Sequence, residues 1–206
     1  YVAARFGGDT VVLGYDNRVG CDCRNVEEAM QAAERTGLEV IVADRLASDT
    51  GTAVSSTWIR AMIEAGEMET AAGMLGYSYR LTGVVVSGEH LGKMMGFPTA
   101  NMELYEPLKI IPGNGAYLVR VSASGGQYYG MCNIGNRPTV REGNSRTIET
   151  HIFGFDEDIY GLDISISFVR KIRNEIRFGS MAALKEQLSK DRNFCMDLIR
   201  SEYGER

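Results

Sequence analysis

Between Thr82 and Asn101 the chain reads TGVVVSGEHLGKMMGFPTAN, with glycines at 83, 88, 92 and 96 and Lys93 among them. Glycine lets backbone N–H groups approach and converge on an anion, and a lysine adds positive charge for phosphate. The Walker pattern Gly-x-x-x-x-Gly-Lys-Ser/Thr does not occur, because Gly88 and Gly92 stand too close and Met94 follows the lysine. A glycine-rich hairpin without a ligand reads the same way. Pro98-Thr99-Ala100-Asn101 closes the run. Proline biases Phe97 toward extended backbone, and in an extended segment Thr99 and Asn101 point to one face. A hydroxyl beside a carboxamide offers hard, neutral oxygens suited to a Mg2+ whose main ligands are phosphate oxygens. A polar turn in which both side chains satisfy local backbone groups is the alternative.

A second group lies in Thr147-Ile148-Glu149-Thr150-His151-Ile152-Phe153. Alternation sets Glu149, His151 and Phe153 opposite Ile148, Thr150 and Ile152. Glu149 could act as general base towards a substrate hydroxyl, and His151, which titrates near neutrality, competes for that role. An outward polar face of an edge strand accounts for the pair equally. Arg173, Glu175, Arg177 and Phe178 could line a pocket for a flat polar ring, or form a solvated loop. Ser55-Ser56-Thr57 with Arg60 could bind phosphate at a helix N-terminus, although capping alone explains the hydroxyls.

The elements that would carry these groups change character along the chain. Val11–Tyr15 and Val40–Ala43 read as buried strands. Residues 26–36 place Val26, Ala29, Met30 and Ala33 on one helical face before Gly37. Trp58, Ile59, Met62 and Ile63 form the stripe of the next helix, and Gly66 separates it from another at 67–75. This order predicts a parallel sheet with crossover helices. Beyond Gly76, residues 81–86, 116–122, 127–134, 147–153 and 163–169 are short β-rich runs between Gly, Pro, Asn and Asp, which predicts a small antiparallel barrel. Ser180 then caps a final helix with Met181, Leu184, Leu188, Phe194 and Leu198 on one side. The boundary between the two textures falls near residue 78.

Composition narrows the function classes. The 206 residues are 44% hydrophobic and 24% charged, the profile of an ordinary globular protein. No apolar run approaches the roughly 18 residues of a membrane span, and a net charge of −5 argues against general nucleic-acid binding. Residues 1–78 hold 6 basic and 12 acidic side chains, a net of −6, whereas 79–206 hold 16 and 15, a net of +1. The second part is the better host for an anionic substrate. Cys21, Cys23, Cys132 and Cys195 are scattered, and His90 and His151 are the only histidines. Reduced thiols fit this better than a zinc site. The chain opens at Tyr1 without an initiator Met or a leader, which reads as processing or as a cut from something longer.

The run Gly96–Asn101 (GFPTAN), the run Asn133-Ile134-Gly135-Asn136-Arg137-Pro138-Thr139, and Glu149-Thr150-His151 followed by Asp158-Ile159-Tyr160-Gly161 together resemble the riboflavin kinase family in order and spacing. Residues from Val11 through Arg60 look like the tail of the FMN adenylyltransferase domain that precedes this kinase in the bacterial bifunctional enzyme, FAD synthetase. The resemblance implies a Greek-key β-barrel with a C-terminal helix over 79–206. Residues 1–78 would be an incomplete, nucleotidyltransferase-like α/β remnant. It also implies transfer of the ATP γ-phosphoryl to the ribityl 5′-hydroxyl of riboflavin, giving FMN and ADP. Glu149 would be the base, and Thr99 and Asn101 would hold Mg2+. Gly88, Gly92, Lys93, Gly96 and Pro98 would join them around ATP. Arg173 and Phe178 would lie near the flavin, and Ser55, Ser56, Thr57 and Arg60 would remain from the adenylyltransferase phosphate site. That site's His-x-Gly-His motif is absent, and its Asp-His-Arg-Phe-Gly segment stands here as Asp16-Asn17-Arg18-Val19-Gly20. FMN adenylylation is therefore not expected of this chain alone. A full-length parent that also makes FAD, and a non-catalytic flavin- or nucleotide-binding barrel, are the alternatives. The expected partners are riboflavin or FMN and ATP or ADP, with neither nucleic acid nor membrane, in a cytoplasmic monomer or weak oligomer.

Overall fold

The structure, a computed structural model, describes residues 5, 7–15, 23–45, 47, 54–88, 91–136 and 146–203, which fall into two compact units, Tyr1–Ser55 and Ser56–Arg206. Asp16 to Gly20, Cys21, His90 and Arg137 to Thr139 lie outside the described residues.

In the first unit β1 (Thr10–Gly14) pairs in parallel with β2 (Glu39–Ala43), from Thr10 opposite Glu39 to Gly14 opposite Ala43. Helix α1 (Val26–Glu34) crosses between them. The Asn25 side chain caps it by accepting from the Glu28 N–H at 2.9 Å. Gly37, at φ +76°, turns the chain out of the helix, which stops two residues short of the predicted end. The strands stand where the sequence places them, but they are not buried as expected. Val12 is 66% exposed and Ile41 48%, while Leu13 alone in the pair is fully covered. Apolar strand runs imply two covering layers, and among the described residues two strands with one helix supply less than that.

The second unit begins with α2 (Ser56–Ala65) and α3 (Met68–Leu75), separated at Gly66, whose φ of +82° suits glycine. A Cβ there would also sit 2.5 Å from the Tyr117 hydroxyl. Six strands follow: β3 (Arg80–Val86), β4 (Ala100–Leu104), β5 (Gly115–Ala123), β6 (Gly126–Asn136), β7 (Arg146–Ile152) and β8 (Asp163–Arg173). They close into an antiparallel barrel in the order β3-β4-β7-β6-β5-β8. The hairpin series β5–β6–β7 with β4 returned beside β7 is a Greek key. Alternation fills the interior with Leu81, Val85, Tyr117, Val119, Cys132, Ile134, Ile148, Ile164, Ile166 and Phe168. Ile63, Met68 and Ala71 of the two leading helices join this same core.

Helix α4 (Leu91–Met94) is a single turn between β3 and β4, and α5 (Met181–Leu198) lies on the outer barrel face before a π-helical turn at Ile199–Tyr203. Ser180 caps α5 as predicted, accepting from the Ala183 N–H. Its covered stripe differs from the expected one. Leu184, Leu188, Cys195 and Leu198 pack with Leu118, Met131 and Phe97, whereas Met181 and Phe194 are each 48% exposed. The stripe runs instead through Asp191, a charged residue that the apolar pattern could not include. The sequence also omits β4 from its strand list, because Met102 is the sole fully buried side chain of that strand.

Candidate active site

Register places the candidate residues on one patch of the outer barrel face. In β4, Asn101 stands directly opposite Glu149 of β7, and Glu149 stands opposite Asn133 of β6. Opposed side chains have Cβ atoms about 4.5–5.5 Å apart, so the carboxylate is flanked by two carboxamides. Thr99 precedes β4 on the same side as Asn101. The glycine run packs against this pair. A Cβ at Gly88 would lie 2.1 Å from Asn101 Nδ2, and one at Gly92 would lie 2.3 Å from the Phe97 carbonyl oxygen and 3.4 Å from Thr99 Cγ2. Only glycine lets the backbone come this close. Phe97 N–H then donates to the Gly92 carbonyl at 2.8 Å, and Gly96 takes φ +83°, so α4 folds back over the start of β4.

His151 shares the Glu149 face, but its ring is already committed. Nδ1 donates to the Pro98 carbonyl at 2.8 Å, which fixes the tautomer, and Phe97 and Phe153 meet the ring edge-on at 5.3 and 5.7 Å. Burial lowers its pKa from the ordinary value; the Pro98 bond opposes that shift and the positive charge of Arg192 adds to it. The imidazole therefore stays neutral and holds the Pro98 turn, one residue from Thr99.

A cleft of about 440 Å3 is lined by Val85, Ala100, Thr150 and Ile152 and by the segment Phe155 to Tyr160. Lys93, Pro98 and Thr99 complete the lining. The wall from Phe155 to Tyr160 is pinned to β3 by paired bonds, Val85 N–H to Leu162 and Gly161 N–H to Val85. Phe155 packs edge-on to Tyr128 at 5.0 Å, and the Tyr160 N–H donates to Asp158. Neither this wall nor Thr150 is assigned to the site by the sequence. Asp158-Ile159-Tyr160-Gly161 was the available signal.

Arg173, at the end of β8, points its guanidinium at Asp191 of α5. Nε and Nη2 both reach Oδ2 at 2.9 Å, and Gln187 donates to Oδ1 at 2.8 Å. The guanidinium also lies 5.8 Å from the centre of the Phe178 ring. Asp191 is 3% exposed, so the pair is nearly desolvated. Removing one partner of a buried pair leaves an uncompensated charge. Asp191→Asn is expected to cost about 3 kcal/mol of stability, the low end of that effect, read as a lower urea midpoint. An unchanged midpoint would show that the pair holds nothing. Glu175, two residues on, accepts from Asn114 at 2.9 Å, and Asn114 in turn accepts from Arg146 at 2.7 Å. Arg146 also donates to the carbonyls of Ile111 and Pro112, so β7 starts from a fixed point.

The riboflavin kinase (flavokinase) family model matches residues 75–199. The chain belongs to the riboflavin kinase family. Among curated relatives, the bifunctional riboflavin kinase/FMN adenylyltransferase of Haemophilus influenzae is 35% identical over 180 residues, covering 87% of this chain and 58% of that protein. The enzyme of the same description from Bacillus subtilis is 38% identical over 141 residues, covering 68% and 44%. The chain thus spans about half the length of the curated relatives it matches. A crystal structure described as a macrolide-efflux protein from Streptococcus pneumoniae superposes with a TM-score of 0.81 at 30% identity, covering 92% of this chain and 60% of that one. Among the described residues of this riboflavin kinase family member, no helix is long and apolar enough to cross a membrane. Ser56, Thr57 and Arg60 occupy the first turns of α2 and are exposed, with Ser55 just before them.

Proposed function

We propose that this chain transfers the γ-phosphoryl group of ATP to the ribityl 5′-hydroxyl of riboflavin, giving FMN and ADP. The observation that carries the reading is the cross-strand row Asn101–Glu149–Asn133, with the Gly88 backbone packed against Asn101. Glu149 accepts the hydroxyl proton as the 5′ oxygen bonds to the γ-phosphorus. The bond from that phosphorus to the bridging oxygen breaks, and ADP leaves with the electron pair. Phosphoryl transfer asks a protein mainly for positioning and charge stabilisation, and this patch is built for positioning. Lys93 adds positive charge at the phosphate end of the cleft.

The donor set fits a magnesium ion. Thr99 and Asn101 offer neutral oxygens, the Gly88 backbone holds the Asn101 carboxamide in place, and the described residues contain no cluster of three or more His, Cys, Asp or Glu side chains. Such a site holds the ion chiefly through nucleotide oxygens. When bound, the ion neutralises charge on the phosphates. Arg173 and Phe178 would border the flavin ring, steadied by Asp191.

The kinase domain in this reading is 79–206, and 1–78 is the C-terminal part of an FMN adenylyltransferase domain, with Ser55, Ser56, Thr57 and Arg60 remaining from its phosphate site. The free thiols of Cys23, Cys132 and Cys195 support a reducing, cytoplasmic setting. We take the protein there as a monomer or weak oligomer, with no nucleic-acid or membrane partner. Incubation with Mg-ATP and riboflavin is expected to yield FMN and ADP in equal amounts by chromatography. Folded protein that produces no FMN would overturn the assignment.

A further inference from the structure

Thr150 is 1% exposed, and among the described residues its Oγ1 is the one buried side-chain nitrogen or oxygen without a hydrogen-bond partner. Its neighbour across the ladder, Cys132, is the one group that engages it: burial pushes the thiol's pKa up to about 12 while a hydrogen bond with Thr150 pulls the other way, and a thiol is only a weak donor and acceptor. A buried hydroxyl left unmatched costs free energy, and folded proteins tolerate few of them. The position of this one is informative. Thr150 lines the cleft together with apolar side chains, Val85, Ala100, Ile152, Phe155 and Ile159, while Lys93, Asp156, Glu157 and Asp158 bring charge to its walls. Ala100 stands directly opposite Thr150 on β4, and its methyl offers the hydroxyl no polar partner. A volume of about 440 Å3 lies within the range of small-molecule sites, which combine apolar walls with a few placed polar groups. Its apolar residues suit an aromatic base, and Lys93 with Thr99 suits the phosphates.

We propose that the Thr150 hydroxyl is the polar contact that reads the edge of the nucleotide base, the strong partner it lacks in the free protein being a ring nitrogen or exocyclic group of the purine. This rests on the kinase reading above and adds the residue that sets preference for the base. Hydroxyl and base satisfy each other only in the complex, so the cost of the lone hydroxyl in the free protein is recovered on binding.

Thr150→Val removes the hydroxyl at nearly constant shape, and Thr150→Ser keeps it. The expected result for Thr150→Val is a KM for Mg-ATP raised about 5- to 10-fold, the size of one net hydrogen bond. Its kcat and riboflavin affinity should be close to those of the parent protein, and its melting temperature unchanged or higher. Thr150→Ser should keep the parent KM, and the ratio of kcat/KM for ATP over GTP should fall in Thr150→Val alone. An unchanged KM, or a melting temperature lowered by several degrees, overturns the proposal, because the hydroxyl would then be idle or matched inside the barrel. Failure of the kinase reading looks different: the parent protein itself would then neither bind Mg-ATP nor form FMN.

Discussion

Glu149→Gln is expected to lower FMN formation by roughly 10²- to 10⁴-fold, the usual contribution of a positioned general base. Glutamine keeps the size and the hydrogen-bonding reach of the side chain but cannot take a proton. Asn101 and Asn133 on either side remain in register, so riboflavin and Mg-ATP affinities should change little. The loss then belongs to kcat, the signature of an interaction made in the transition state. His151→Asn is the control. Its ring donates to Pro98 and is flanked by two aromatic rings, so its removal should disturb the Pro98 turn and raise the KM for Mg-ATP. If instead His151→Asn abolishes turnover and Glu149→Gln does not, the assignment of the base is reversed.

The double change Thr99→Ala, Asn101→Ala should lower kcat/KM for Mg-ATP by on the order of 10³, since it removes both neutral oxygens that would hold the ion and its charge neutralisation. Riboflavin binding, followed by flavin fluorescence, should stay near the parent value. Both side chains are only partly buried, so stability should change little. Gly88→Ala should reproduce part of the effect without touching either ligand, because its new methyl would lie 2.1 Å from Asn101 Nδ2 and must displace that carboxamide. Unchanged Mg-ATP affinity by titration calorimetry in all of these variants would remove Thr99 and Asn101 from the site.

Local signals carried the reading wherever a residue's role depends on its neighbours in sequence. Alternation in Asp163–Phe168 gave the core of β8, and Ser180 gave the start of α5. Thr99 and Asn101 share a face because Pro98 keeps the chain extended, and their spacing showed it. Roles set by pairing across the barrel were not legible. Alternation alone left Glu149 and His151 equivalent; their difference lies in a register with Asn101 and in a carbonyl 53 residues away in sequence. Asp191 interrupts the apolar pattern of α5 because its partner is Arg173 on β8. Val12 and Ile41 read as core because apolar strands usually gain covering layers, and among the described residues of the first unit none covers them. Thr150 gave no signal, because a missing partner is visible only in three dimensions.

Closure of the barrel has a consequence for how the protein is made. β3 and β5 each take β8 as their second neighbour, and Arg80 pairs with Ser167 across 87 positions. Such distant pairings are slow to form. On a ribosome, where chains emerge from the N-terminus onward, the ring stays open until Asp163–Arg173 has been synthesised. Before then β3 and β5 are bare edges, and the row holding Glu149 hangs on an unclosed sheet. The strands that carry the chemistry are therefore translated before the strand that holds them in place, and competence waits for Asp163–Arg173.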